Sequence, residues 1–94
     1  MEIEKIKELI RPILREHEVK KASLFGSIVK GEMTEASDID ILVEFHGEKS
    51  LLDLVSLKIA LEDLLQCSVD VLTPKAIHPL MKESIQKDAV LIYG

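Results

Sequence analysis

Three aspartates and a glycine–serine pair are the residues of this chain whose types and spacing could do chemistry. Asp38 and Asp40 lie two residues apart in a run that reads as a strand, so their side chains project from one face. Asp70 lies between Val69 and Val71 in a second strand-like run, on the side opposite the core-facing valines. If the two strands are neighbours, three carboxylates meet. Adjacent carboxylates repel unless something positive sits between them. Three oxygen ligands suit Mg2+ or Mn2+ rather than zinc, which prefers His and Cys. Gly26 ends an earlier apolar run and lets the backbone approach a phosphate with no Cβ in the way. Ser27 can bond a phosphate oxygen through its hydroxyl and its N–H. A helical turn over 28–32 would aim further free N–H groups at the same anion. The implied chemistry is transfer of a nucleotidyl group. A metal would neutralise the triphosphate, orient the attacking hydroxyl and stabilise the departing pyrophosphate. Asp70 is the best of the three to accept the hydroxyl proton. An isolated Asp-x-Asp is usually two solvated carboxylates, and Gly-Ser alone is a turn. The combination, with a third strand aspartate after a helix, is more specific.

The elements that must position these groups follow from periodicity. Residues 2–16 place Ile3, Ile6, Leu9, Ile10, Ile13 and Leu14 at helical spacing, with a distortion expected at Pro12. A buried strand is expected over Val19 to Phe25 and a second over Asp38 to Phe45. In the second, Ile39, Ile41 and Val43 share one face, and Asp38, Asp40, Leu42 and Glu44 the other. Glu44 lies too far along to share a metal with the aspartates. Ser50 reads as the N-cap of a helix to about Gln66, with Asp53 completing a capping box. Leu51, Leu54, Val55, Leu61, Leu64 and Leu65 form its expected apolar side, and Asp53, Lys58, Glu62 and Asp63 face water. A third strand covers residues 68–72, and Thr73-Pro74 ends it. Pro79 opens a last helix to about Lys87, with Leu80, Met81 and Ile85 inward. Residues 89–93 form a final strand, with Tyr93 a packed edge residue. The order predicts one α/β (α+β) domain over residues 1–94, a small mixed β-sheet packed with helices.

Composition bounds the partners. The 94 residues are enough for one modest core. A net charge of −5 argues against broad nucleic-acid binding, which needs a basic surface. The single Cys67 fits a reducing compartment and reads as a buried, inert thiol. No apolar run approaches the roughly 20 residues of a membrane span. The charged N-terminus is not a signal peptide, so a cytoplasmic protein is expected. His17, His46 and His78 have no metal-ligand spacing, and Glu32 and Glu35 read as solvated loop residues.

The pattern G-S-x-x-x-G-x-x-x-x-x-S-D-x-D-x-x-V, here Gly26-Ser27, Gly31, Ser37-Asp38, Asp40 and Val43, resembles the signature of small nucleotidyltransferase domains of the DNA polymerase beta superfamily. The resemblance extends to Val69-Asp70-Val71 and covers most of the chain. Its length is similar to that of the minimal nucleotidyltransferase (MNT) branch, whose members pair with HEPN-domain toxins as antitoxins. The resemblance implies a nucleotidyltransferase fold and a hetero-oligomer with a HEPN toxin. It also implies Mg2+ or Mn2+ as cofactor, and ATP as the donor of AMP to a tyrosine of that toxin. It makes Asp38, Asp40 and Asp70 the metal ligands, and puts Gly26, Ser27, Lys30 and Ser37 at the nucleotide. Ile28 stands where many members carry an arginine, which could grip two phosphate oxygens. Lys30 holds the second arginine position. A second reading follows: a catalytically weakened antitoxin that neutralises its toxin by direct binding. A third, a free-standing enzyme modifying a small molecule, leaves little room for substrate recognition.

Overall fold

The computed structural model of the protein describes residues 2–31 and 38–94. Its elements run α1 (Ile3–Glu16), β1 (Val19–Phe25), α2 (Ser27–Lys30), β2 (Ile39–Phe45), α3 (Leu51–Leu65), β3 (Val69–Leu72), a 3-10 turn (Pro74–Ala76), α4 (Pro79–Asp88) and β4 (Val90–Tyr93). The four strands form one mixed sheet in the order β3-β2-β1-β4. β1 pairs antiparallel with β2 and with β4, while β2 and β3 are parallel. Parallel neighbours need a long crossover, and α3 supplies it. The expected mixed α/β architecture is therefore the observed one.

The core lies on one face of the sheet. Ala22 and Leu24 of β1, Ile39, Ile41 and Val43 of β2, and Val69 and Val71 of β3 point into it. Opposite them are Ile6, Ile10 and Leu14 of α1 and Leu57, Leu61 and Leu65 of α3, each set at i, i+4, i+8 along its helix. α1 runs unbroken through Pro12, which is exposed, so the hydrogen bond that proline removes lies on the water side. Ser50 and Asp53 form the expected capping box: Asp53 N–H donates to Ser50 Oγ at 3.4 Å, and Ser50 N–H donates to Asp53 Oδ2 at 2.8 Å.

Several expected inward residues face out. Leu9 of α1 is exposed. In α3, Leu51, Val55 and Leu64 are exposed, while Leu57, absent from the expected stripe, is fully buried. That helix carries apolar residues nearly all round, so periodicity did not single out the packed side. In α4, Leu80 is 85% exposed and Met81 55%, and Ile85 alone is buried. α4 starts at Pro79 as expected, with His78 Nδ1 accepting from Leu80 N–H at 3.1 Å. It crosses the other, open face of the sheet and rests on it through Ile85. Cys67 is half-buried rather than buried. Burial, then the charges of Glu62 and Asp38, push its thiol pKa up, which keeps it protonated and weakly nucleophilic. Among the described residues, no helix is long and apolar enough to cross a membrane.

Candidate active site

Strand register brings the aspartates together. Asp40 of β2 lies opposite Phe25, the last residue of β1, and beside Asp70 in the parallel β2–β3 pair. Both carboxylates project from the open face because their neighbours Ile39, Ile41, Val69 and Val71 are buried on the covered one. Asp38 precedes β2 and is exposed. Its charge still reaches Asp40. The Asp40 pKa is raised by burial first, then by the charges of Asp70 and Asp38. The three predicted carboxylates thus share one electrostatic neighbourhood, with Asp40 at its centre.

Gly26 follows β1 with φ +79°, in the left-handed half of backbone space. A Cβ at this position would fall far inside van der Waals contact of Asp40 Oδ2. Glycine is therefore required twice, by backbone conformation and by the carboxylate against it. Ser27 opens α2, whose short turn is closed by Val29 N–H and Lys30 N–H donating to Gly26 O at 3.2 and 3.3 Å. Gly31 ends it at φ +71°. Ile28 is buried in the core, so this position serves packing and not phosphate holding. Ser37 lies outside the described residues, as do Glu32 and Glu35.

A cleft of ≈ 290 Å³ gathers Gly26, Lys30, Asp40 and Asp70 under α4. Met81, Ser84 and Asp88 form its helical wall, at spacing i, i+3, i+7. The sequence reading missed these three, although that spacing marks one helix face. Lys30 is the one cationic side chain lining the cleft among the described residues. A larger cleft of ≈ 460 Å³ lies across α4, between Leu42 and Glu44 on the sheet and Lys82 and Gln86 on the helix. None of the three aspartates lines it.

The donor set fits a hard divalent cation: carboxylate oxygens in excess of cations, with the Asp40 pKa raised first by burial and then by the charges of Asp70 and Asp38, which a bound cation would offset. No three of His, Cys, Asp and Glu form a ready-made ligand cluster among the described residues. Phosphate oxygens and water would have to complete the shell of a small cation.

Comparison with known proteins meets this geometry. A family model described as "Nucleotidyltransferase domain" matches residues 6–92. The chain belongs to the nucleotidyltransferase domain family. A candidate protein adenylyltransferase of Methanocaldococcus jannaschii is 58% identical over 90 residues, spanning 96% of this chain and 97% of that one. Protein adenylyltransferase MntA of Thermococcus cleftensis is 36% identical over 92 residues, spanning 97% and 93%. The solved structure of a candidate minimal nucleotidyltransferase superposes with a TM-score of 0.82 at 33% identity, over 96% of this chain and 95% of that one. A chain of the solved complex of tri-AMPylated Shewanella oneidensis HEPN toxin with MNT antitoxin shares the fold, with a TM-score of 0.75 at 19% identity, over 97% of this chain and 71% of that one. This nucleotidyltransferase therefore has relatives of its own size and fold.

Proposed function

We propose that this nucleotidyltransferase is the antitoxin of a HEPN-domain toxin and transfers AMP from ATP to a hydroxyl of that partner, a tyrosine hydroxyl being the preferred acceptor. The observation that carries the reading is the register Asp40 beside Asp70, with Gly26 packed on the Asp40 carboxylate. The adenylyltransferase relatives and the complex of an AMPylated HEPN toxin with an MNT antitoxin support an AMP donor and a HEPN partner. Residues 1–94 act as one catalytic domain, so the partner presents the acceptor and the working form is a hetero-oligomer.

Asp38, Asp40 and Asp70 are the residues that would hold Mg2+ or Mn2+. Such an ion, when bound, offsets the triphosphate charge and stabilises the leaving pyrophosphate. Gly26 and Ser27 bind phosphate oxygens at the turn, and Lys30 adds a point charge at the cleft. Ser37 belongs to the same motif and is assigned to the nucleotide. Asp70 orients the acceptor hydroxyl and takes its proton as the oxygen bonds to the α-phosphorus. The bond from that phosphorus to the bridging oxygen breaks, and pyrophosphate departs.

Purified chain, its HEPN partner, ATP and Mg2+ should give AMP-sized mass increments on the partner. Those increments should vanish with Asp38→Ala plus Asp40→Ala. An unmodified partner under these conditions refutes the enzymatic reading. One observation favours a second reading, neutralisation by contact: Ile28 is committed to the core where a phosphate clamp was expected. A double aspartate variant that still binds its partner but no longer protects cells counts against it.

A further inference from the structure

Lys58 and Glu62 were expected to face water, and the structure puts them to another use. Lys58 Nζ donates to Val69 O at 2.8 Å. Val69 N–H donates to Glu62 Oε2 at 3.0 Å, and Lys58 Nζ donates to the same oxygen at 3.1 Å. Two side chains one helical turn apart on α3 thus hold both backbone polar groups of the residue preceding Asp70. β3 is an edge strand of four residues, and it pairs with β2 on its other side. There, Ile39 N–H donates to Ser68 O at 3.0 Å, next to Asp40. The start of β3 is therefore held from both sides, by β2 through Ser68 and by α3 through Val69. Burial of Val69 and Val71 decides which face β3 turns to the core, since a slip of one residue would send Asp70 to the covered face. The bonds from α3 to Val69 pin where along β2 this short strand begins.

We propose that Lys58 and Glu62 are positioning residues for the nucleotidyl-transfer site: they set β3 in the register that places the Asp70 carboxylate beside Asp40. Neither touches the reacting atoms. Both act through the Val69 backbone, in the way outer-shell partners orient metal ligands. Glu62 is pulled below the ordinary carboxylate range, first by the Val69 N–H and then by Lys58, so it is an ionised acceptor at neutral pH. This inference rests on the proposed reaction for its activity readout, and on metal affinity for a readout without turnover.

The test compares the full chain with Glu62→Ala, Lys58→Met and Glu62→Gln. For Glu62→Ala and Lys58→Met, kcat for AMP transfer should fall about tenfold or more, with KM for ATP changed little, since the phosphate turn is untouched. Mn2+ affinity, titrated without ATP, should fall by a similar factor of about ten. The Val69 amide should exchange with solvent faster in Glu62→Ala. Glu62→Gln keeps a neutral acceptor for that amide and should recover most of kcat. It also guards against a variant that merely unfolds. If stability falls in all three while kcat and Mn2+ affinity per folded molecule stay at wild-type values, the positioning role is overturned. Wild type that binds Mn2+ but transfers no AMP refutes the proposed reaction alone, and Mn2+ affinity then decides the positioning role. Wild type that does neither refutes both.

Discussion

On the covered face of the sheet, Ile39, Ile41 and Val43 of β2 and Val69 and Val71 of β3 are at most 7% exposed and meet α1 and α3. On the open face, the residues between them are Asp40, Leu42 and Asp70, half-buried or exposed, with α4 resting over them through Ile85. The same strands therefore carry the core and the proposed site on alternate residues. The covered face is stabilised by burying apolar area, at about 25 cal/mol per Å². The open face works against stability, since it brings carboxylates together in partial burial. A mixed sheet with one layer of packed helices leaves its second face for the proposed site, where α4 rests through Ile85 and walls the cleft with Met81, Ser84 and Asp88.

The largest expected effect breaks the open face. If Asp40 plays the proposed metal-holding role, Asp40→Asn should lower AMP transfer by about 10³-fold, a loss of about 4 kcal/mol of transition-state stabilisation. The same change should raise the Tm of metal-free protein at neutral pH. The Asp40 pKa is raised in the folded chain, by burial and by Asp70 and Asp38. Folded protein therefore holds that proton to higher pH than unfolded protein does. The stability this lends is fully present below the ordinary carboxylate pKa and is lost as pH rises through the raised value. At neutral pH the ionised group opposes folding, and asparagine removes the opposition. The Tm gain should shrink as pH falls into the acid range. A Tm that drops at neutral pH with EDTA present would show that the open face is not the strained one.

Next in size is a break in the covered face. Leu57→Ala removes a fully buried side chain between α3 and the sheet and should cost about 2–5 kcal/mol in urea unfolding. Activity per folded molecule should stay within about twofold, because this residue acts only on the folding equilibrium. Loss of activity in fully folded variant would mean that the two faces are coupled more tightly than alternation suggests.

Leu57 also marks where sequence reasoning stopped. The alternation of Ile39, Asp40, Ile41, Leu42 and Val43 was legible because period two leaves one assignment of faces. The cap at Ser50 and the start at Pro79 were legible because each solves a local hydrogen-bond or dihedral problem. The packed side of α3 was not, since Leu51, Val55, Leu57, Leu61 and Leu64 point several ways and only the sheet decides among them. Leu80 and Met81 were assigned inward on hydropathy, but α4 meets a partly open face and buries Ile85 alone. Gly26 and Asp40 came together as expected because motif spacing encodes a strand–turn–strand geometry, and Asp70 joins them because β3 pairs in parallel with β2 after the α3 crossover. Lys58 and Glu62 were expected to face water because their partner is the backbone of Val69, and a backbone group leaves no mark in the sequence.

The finest comparison sets two glycines against each other within six residues. Gly26 and Gly31 both have positive φ, +79° and +71°. At Gly31, ψ is 19°, which puts the residue in the left-handed helical well, and a Cβ would meet nothing within 4 Å. Alanine there should cost about 1 kcal/mol, the ordinary penalty of that well, and leave transfer close to wild type. At Gly26, ψ is −148°, a region reserved for glycine, and the Cβ would strike the Asp40 carboxylate. Alanine there should cost about 1–3 kcal/mol of backbone strain and also push Asp40 off its place beside Asp70. Activity should therefore fall by more than the loss of folded protein explains. Denaturant midpoints and kcat per folded molecule, measured on both variants, separate the two contributions. Equal effects from Gly26→Ala and Gly31→Ala would mean that Gly26 serves only its turn. An activity loss confined to Gly26→Ala would mean that the open face depends on the close approach of this one backbone position to Asp40.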